Sequence, residues 1–353
     1  MPHNRRKGIN VSNPTPLELA KREALKHHKP LVYDKCMKYD DMIAAGKSIA
    51  IVQLQYDYRC NFGCSHCSVS KFRKYKSERY FTPDLVAEFC KQADEYGLAH
   101  FAFTGGEPLA FPDLEAVLDA IHMPRFHFQM DTNGWLMTSE RAEWLKGKGV
   151  DKIQLSIDSL NEAEHDAFRR KPGSYKRCMT AIDAILGAGL YLQVSTVVTR
   201  QRLYSDEFRA FLDFMTKKGA ATAICWPKFC GEWEGKYDGK ITREDMRWYE
   251  DNLVKNYWTY ADTTPNFGRP GLCCSVRRII SVLKNGDVMP CPWTFMSLGN
   301  VFDTPFADIL AKGMRYFGTP YEGCRVDDFI KEYVEKTYGQ DRLLTVEEVI
   351  GEP

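Results

Sequence analysis

The octet Cys60-Asn61-Phe62-Gly63-Cys64-Ser65-His66-Cys67 follows an apolar run, Ile49 to Tyr58, that reads as a β-strand. Three thiols in eight positions restrict the chemistry. A disulfide consumes two and strands the third, and structural zinc takes four ligands from paired C-x2-4-C units. The reading to test is a three-thiolate site for an iron–sulfur cluster with one iron left open.

Outward from the octet, short apolar runs alternate with helical patterns, the signature of βα units around a parallel sheet. Strands are expected at 49–55, 100–104, 125–131, 152–157, 190–198 and 221–226, with helices at 83–96, 112–121, 139–147, 174–187 and 205–217. Thr82-Pro83, Pro112-Asp113 and Ser139-Glu140 supply cap or first-turn chemistry. Six such units suit a partial (β/α)6 barrel, open on one side, better than a closed eight-stranded one. Residues 1–48 read as an N-terminal extension with a helix at 16–28, and 49–227 as the barrel. Residues 228–353 read as a bridge and a small C-terminal α+β unit. Gly268-Arg269-Pro270-Gly271 punctuates the bridge, and a hairpin is expected at 278–283 and 288–291 around Lys284-Asn285-Gly286-Asp287.

The 353 residues carry 48 Lys+Arg against 47 Asp+Glu, a net charge of +1, so no charge excess argues for nucleic acid or an anionic membrane. The start, MPHNRRKGINVSNPTP, lacks an apolar targeting core, and no later run approaches a membrane span. A soluble, cytoplasmic protein is expected. Twelve cysteines in a reducing compartment point to metal or redox chemistry more than to disulfides.

Function in α/β sheets gathers at the carboxyl ends of the strands. There lie the cysteine triplet, Thr104-Gly105-Gly106-Glu107-Pro108, Asp131-Thr132-Asn133-Gly134 and Ser156-Ile157-Asp158-Ser159. With these motifs in that order, the sequence over roughly 49–226 resembles the radical S-adenosylmethionine (SAM) superfamily. Cys60-x3-Cys64-x2-Cys67 matches its cluster motif, and Gly105-Gly106-Glu107 its glycine-glycine-glutamate stretch.

The resemblance implies that Cys60, Cys64 and Cys67 hold three irons of a 4Fe-4S cluster whose fourth iron chelates SAM. It implies that Gly105, Gly106 and Glu107, beside Thr104, line the methionine amino group, the glycines allowing backbone approach. His66 takes a position near the adenine, Ser156 meets ribose or carboxylate, and Arg169 pairs with the SAM carboxylate. Asn133 and Ser195 are further candidates. Other readings stay open: Glu107 as a strand-end cap, the polar residues as sheet-end partners, and Arg169 as a helix charge paired with Glu162 or Asp166.

Cys274-x11-Gly286-x4-Cys291, with Cys324 as a third ligand, resembles the SPASM/twitch extension, which binds auxiliary clusters. The seven-cysteine run of the full pattern is absent, so at most one auxiliary cluster is expected. Cys273, Cys230 or a bound substrate completes it, or these are buried free cysteines. Cys225, Cys230 or Cys273 could instead return hydrogen to a substrate radical. The basic run Lys71 to Lys76 reads as steering charge or a solvated face. The aromatic segment Trp226 to Trp258 reads as pocket wall or packing.

The resemblance further implies a flavodoxin- or ferredoxin-like electron donor, cleavage of SAM to a 5′-deoxyadenosyl radical, and hydrogen abstraction from an unactivated carbon. Oxidation, cross-linking or epimerisation of a ribosomally made peptide is expected. The alternatives are a sugar- or aminoglycoside-type small molecule, or a non-catalytic metal-binding regulator. Residues 1–48 are too short and too little strand-like for a leader-peptide recognition domain.

Overall fold

The computed structural model describes residues 16–236, 239–261 and 272–353. The basic start and the Gly268–Gly271 turn lie outside them. Six strands alternate with helices as the periodicity requires: β1 Ile51–Asp57, β2 His100–Gly105, β3 His127–Thr132, β4 Lys152–Ser156, β5 Tyr191–Val197 and β6 Ala221–Cys225. Three more join the same sheet: β7 Thr259–Ala261, β8 Ile279–Val282 and β9 Val288–Met289. The order is β7-β6-β5-β4-β3-β2-β1-β8-β9, parallel throughout except for the β8–β9 hairpin. β7 and β9 are the two ends of this order and do not pair with each other, so the barrel is partial.

The period-2 alternation of each strand separates two faces. Val52, Leu54, Phe101, Phe103, Phe128, Met130, Ile153 and Leu155 are buried in the main apolar core, each worth roughly 1.5–3 kcal/mol of burial. The alternate positions carry Gln53, Gln55, Thr104, Asp131, Gln154, Ser156 and Ser195, which line a cavity on the concave side. A closed barrel fills that side with branched apolar residues. Here the interior is an amide and hydroxyl surface, in which Gln193 Nε2 donates to Gln154 Oε1 at 2.7 Å and Gln55 Nε2 to Ser281 Oγ at 2.8 Å.

The boundary expected at 227 is not a sheet boundary, because β7, β8 and β9 come from the C-terminal third and β8 pairs with β1. The hairpin is present, but it extends the barrel sheet. A separate two-stranded sheet, β10 Met296–Ser297 with β11 Leu344–Thr345, the helix Phe306–Phe317 and the short helices Arg325–Asp328, Ile330–Tyr333 and Val346–Ile350 belong to the rest of the C-terminal unit. Of the expected helix starts, Thr82 caps Pro83–Tyr96 through Leu85 N–H. Thr138, one residue before the expected Ser139, caps Ser139–Gly147. Asp113 makes no side-chain cap and instead accepts from the Tyr56 hydroxyl.

Candidate functional site

One cavity of about 260 Å³ gathers the strand-end motifs. Of the candidate residues, Cys60, Cys64, Cys67, His66, Thr104, Gly105, Gly106, Glu107, Asn133, Ser156, Arg169, Ser195, Cys225 and Cys230 line it, together with Lys228, Trp233, Pro292 and Trp293. Cys273, Cys274, Cys291 and Cys324 are not in its wall.

The cluster loop is fixed from three sides. On one, the end of β2 packs backbone to backbone against 57–59: Gly106 N–H donates to Asp57 O at 2.7 Å and Glu107 N–H to Arg59 O at 2.8 Å. A Cβ on Gly105 would meet Asp57 O at 2.1 Å, and one on Gly106 would meet Arg59 O at 1.9 Å. The expected reason for these glycines, room for a ligand, is thus joined by a stricter one, room for the neighbouring chain. On the second side, Ser65 N–H and Oγ both donate to Phe168 O. On the third, Gly231 has φ +60 and its Cβ position lies 2.1 Å from Cys67 O, while Glu232 N–H donates to that same carbonyl.

Glu107 is fully buried and accepts from Leu109 N–H, Thr132 Oγ1 and Asn133 N–H. It therefore caps the turn at 108–110 and ties β2 to β3, as the strand-end reading supposes, while still facing the cavity. Burial raises its carboxyl to about 7 despite those donors. Asn133 Nδ2 donates to Asn61 Oδ1 at 2.8 Å, linking the third strand to the cluster loop, and Ser156 and Ser195 face each other at 3.4 Å across β4 and β5. Burial also raises Asp131, on the cavity wall, to about 6.

Arg169 is not an exposed helix charge. Its side chain is 9% exposed and its Nε donates to Asp158 Oδ2 at 2.6 Å. Glu162 pairs with Lys176 instead, and Asp166 accepts from Gly173 N, Ser174 Oγ and Tyr175 N. Burial, the largest influence, opposes the Asp158 charge, but the Arg169 guanidinium together with the Val197 N–H and the neighbouring imidazoles outweighs it and holds the carboxyl below its usual value. His66 stacks on Phe168 at 4.3 Å with the rings 10° apart and tilts against Trp233 at 6.0 Å. Burial, reinforced by Arg169, lowers it to about 4, so it is neutral. Its Nδ1 and Asn61 Nδ2 are buried without a partner.

The donor set fits a cluster. All cysteines among the described residues are free thiols. No three His, Cys, Asp or Glu side chains there are gathered for a single metal ion. Cys60, Cys64 and Cys67 nevertheless open on one cavity, as cluster ligands that each take a separate iron must. Burial pushes the Cys60 thiol up to about 11 and Cys67 up as well, so filling the site displaces protons.

The second cysteine set lies beyond the wall, where the lining residue Lys228 reaches Cys324 Sγ. Cys291 Sγ is 2.8 Å from Thr294 Oγ1, and Cys273 lies near enough to act electrostatically on both Cys291 and Cys324. Cys274, the expected ligand, is buried as well. Cys230 lies near enough to feel Cys291. The basic run is split: Lys71 and Phe72 are buried, Lys71 bonding Glu234 at 2.9 Å and Thr337 O at 2.7 Å, whereas Arg73 and Lys74 are exposed. In the aromatic segment Trp226 and Trp233 line the cavity, and Trp248 packs on Tyr204.

Sequence reasoning assigned no role to Asn61, Asp158, Phe168, Lys228 or Gly231. Asp158 and Asn61 stood inside motifs already singled out; the others depend on contacts across the fold.

A model of the radical SAM superfamily matches residues 56–215, and one of the SPASM iron-sulfur cluster-binding domain matches 273–326. The chain is 28% identical over 298 residues to an AdoMet-dependent heme synthase of Nitratidesulfovibrio vulgaris, covering 74% of this chain and 79% of that one. It is 26% identical over 266 residues to the antilisterial bacteriocin subtilosin biosynthesis protein AlbA of Bacillus subtilis, covering 71% and 57%. In fold it is similar to Streptococcus suis SuiB bound to precursor peptide SuiA, with a TM-score of 0.63 at 15% identity over 98% of this chain and 84% of that one.

Proposed function

This chain belongs to the radical SAM superfamily and is an iron–sulfur enzyme with a SPASM domain, working with a SAM-binding 4Fe-4S cluster, SAM and an auxiliary iron–sulfur cluster; from that premise we propose that it oxidises or cross-links a carbon centre of a peptide. When bound, these groups would supply the one-electron chemistry: reductive cleavage of SAM and an acceptor for the substrate's electron. The protein does the rest. Cys60, Cys64 and Cys67 hold the first cluster. Thr104, Gly105, Gly106 and Glu107 give the methionine end a rigid edge, with Ser156, Ser195 and Asn133 on the adjoining strand ends and Arg169 facing the carboxylate. His66, Phe168 and Trp233 form an apolar lid that excludes water.

The observation that carries the reading is the shared cavity: the strand-end motifs line it together with Lys228, Cys230, Pro292 and Trp293 from the C-terminal part of the chain. A substrate carbon held there faces the first cysteine set, with Cys324 of the second behind Lys228. The peptide assignment is supported by the resemblance to AlbA, named for bacteriocin biosynthesis. A flavodoxin- or ferredoxin-like donor supplies the electron. The cysteine content supports a reducing, cytoplasmic setting, and no helix among the described residues is long and apolar enough to cross a membrane.

A small-molecule substrate is the second reading, favoured by the heme synthase relative and by the amide-lined barrel interior. Epimerisation by thiol return keeps Cys225 and Cys230 as donors, since both line the cavity, and leaves out Cys273, which does not.

The test is anaerobic turnover with a chemical reductant, SAM and precursor peptides encoded near the gene, in deuterated water. A product two hydrogens lighter supports oxidation or cross-linking. Solvent deuterium on the product carbon supports thiol return. SAM cleavage that no peptide stimulates moves the search to small molecules, and no SAM cleavage at all removes the enzymatic reading.

A further inference from the structure

Lys228 is a buried lysine that the proposed chemistry does not use. Three residues past the end of β6, its side chain is 3% exposed. Its Nζ donates to Asp327 Oδ2 at 2.7 Å and lies 3.4 Å from Cys324 Sγ, within donating distance of sulfur. The Trp293 ring is 5.9 Å away, and the Lys228 side chain reaches the cavity wall. Asp327 is equally enclosed, 9% exposed, and its own N–H donates to the Cys324 carbonyl.

A charge pair placed away from water is a poor source of stability, because the desolvation of both ions offsets most of their attraction. It is an effective source of local potential, because little solvent screens it. A cation bonded to a thiolate ligand stabilises the more negative, reduced state of whatever iron that thiolate holds, and hydrogen bonds to sulfur raise cluster potentials in the same sense. Asp327 acts oppositely and moderates the effect.

We infer that Lys228 sets the reduction potential of the auxiliary cluster upward through Cys324, with Asp327 as the counterweight. This rests on Cys324 being an auxiliary-cluster ligand. Lys228 is a positioning residue, acting through the ligand sulfur and not on substrate. Because it also faces the cavity, it places the electron acceptor's tuning group beside the substrate.

The experiment uses the full-length Cys60/Cys64/Cys67→Ala chain, reconstituted anaerobically so that only the auxiliary site holds iron, with midpoints read by EPR-monitored redox titration. Lys228→Met is expected to lower the midpoint, Asp327→Asn to raise it, and Lys228→Arg to leave it near the parent value. Shifts of opposite sign are the signature, since loosening the fold moves both variants the same way. An unmoved midpoint in both, or the same direction in both, overturns the inference while leaving the auxiliary cluster intact. If Lys228→Met does not retain iron, Asp327→Asn decides alone: a midpoint that fails to rise overturns it. If the parent triple variant binds no iron, the auxiliary-cluster reading fails, and this inference with it.

Discussion

Arg169 joins the fourth strand to the cluster loop: its Nε donates to Asp158 Oδ2 at 2.6 Å while its Nη1 lies 3.9 Å from Cys64 Sγ. Ser65, beside that cysteine, is held by the carbonyl of Phe168, the residue before Arg169. The helix Glu162–Arg169 is therefore a brace for the loop that carries the three thiols.

Arg169→Met removes the cation and leaves Asp158 buried and unpaired, a loss of roughly 3–5 kcal/mol. Urea unfolding of the metal-free chain should show it, and Asp158→Asn in the same chain should recover part of the loss. If Arg169→Met unfolds like the parent, the pair is not the brace.

Gly231→Ala places a methyl group against Cys67 O and strains a left-handed residue. Gly235→Ala meets nothing within 4 Å but bears the same kind of strain at φ +80, about 1–2 kcal/mol. Iron bound after reconstitution should fall for Gly231→Ala and stay near the parent level for Gly235→Ala. Equal loading in both would show that the bridge does not hold the cluster loop.

His165 is fully buried, and its Nδ1 accepts from Asp158 N–H, so the neutral ring is required. Burial, with Arg169 nearby, lowers it to about 4 from an unfolded value near 6.5. The unfolded chain therefore takes up the proton first. The stabilisation is complete above about 6.5 and is lost as the pH falls toward 4, on the order of 3 kcal/mol over that window. His165→Asn, whose Oδ1 can accept the same bond, should flatten the dependence of the urea midpoint between pH 6.5 and 4. An unchanged slope would assign it to other groups.

In the Cys60/Cys64/Cys67→Ala background, single Ala variants of Cys274, Cys291 and Cys324 should each reduce the remaining iron. Full retention by any one of them would remove that cysteine from the ligand set, and loss by Cys273→Ala would add Cys273 as the fourth ligand.

Much of this site was legible because its parts are local. The octet 60–67 carries its own spacing, and Thr104–Pro108, Asp131–Gly134 and Ser156–Ser159 each end a strand whose period-2 pattern is plain; all four meet in one cavity. The barrel class followed from the same alternation. What was missed depends on distant pairing. β8 joining β1 is a contact between residues more than 200 positions apart, so the hairpin read as part of a separate unit. β7 has only three residues, too few for a periodic signal. The Arg169 partner was sought at helical spacing, on Glu162 and Asp166, where surface pairs form, but the arginine turns inward to Asp158.

The most direct test of the account is the iron and acid-labile sulfide content of wild type and the Cys60/Cys64/Cys67→Ala variant after anaerobic reconstitution. Two clusters predict that the triple variant keeps about half of both, with an EPR signal that Cys324→Ala abolishes. A triple variant that binds no iron, beside a wild type that binds one cluster, would contradict the account and leave the C-terminal cysteines structural.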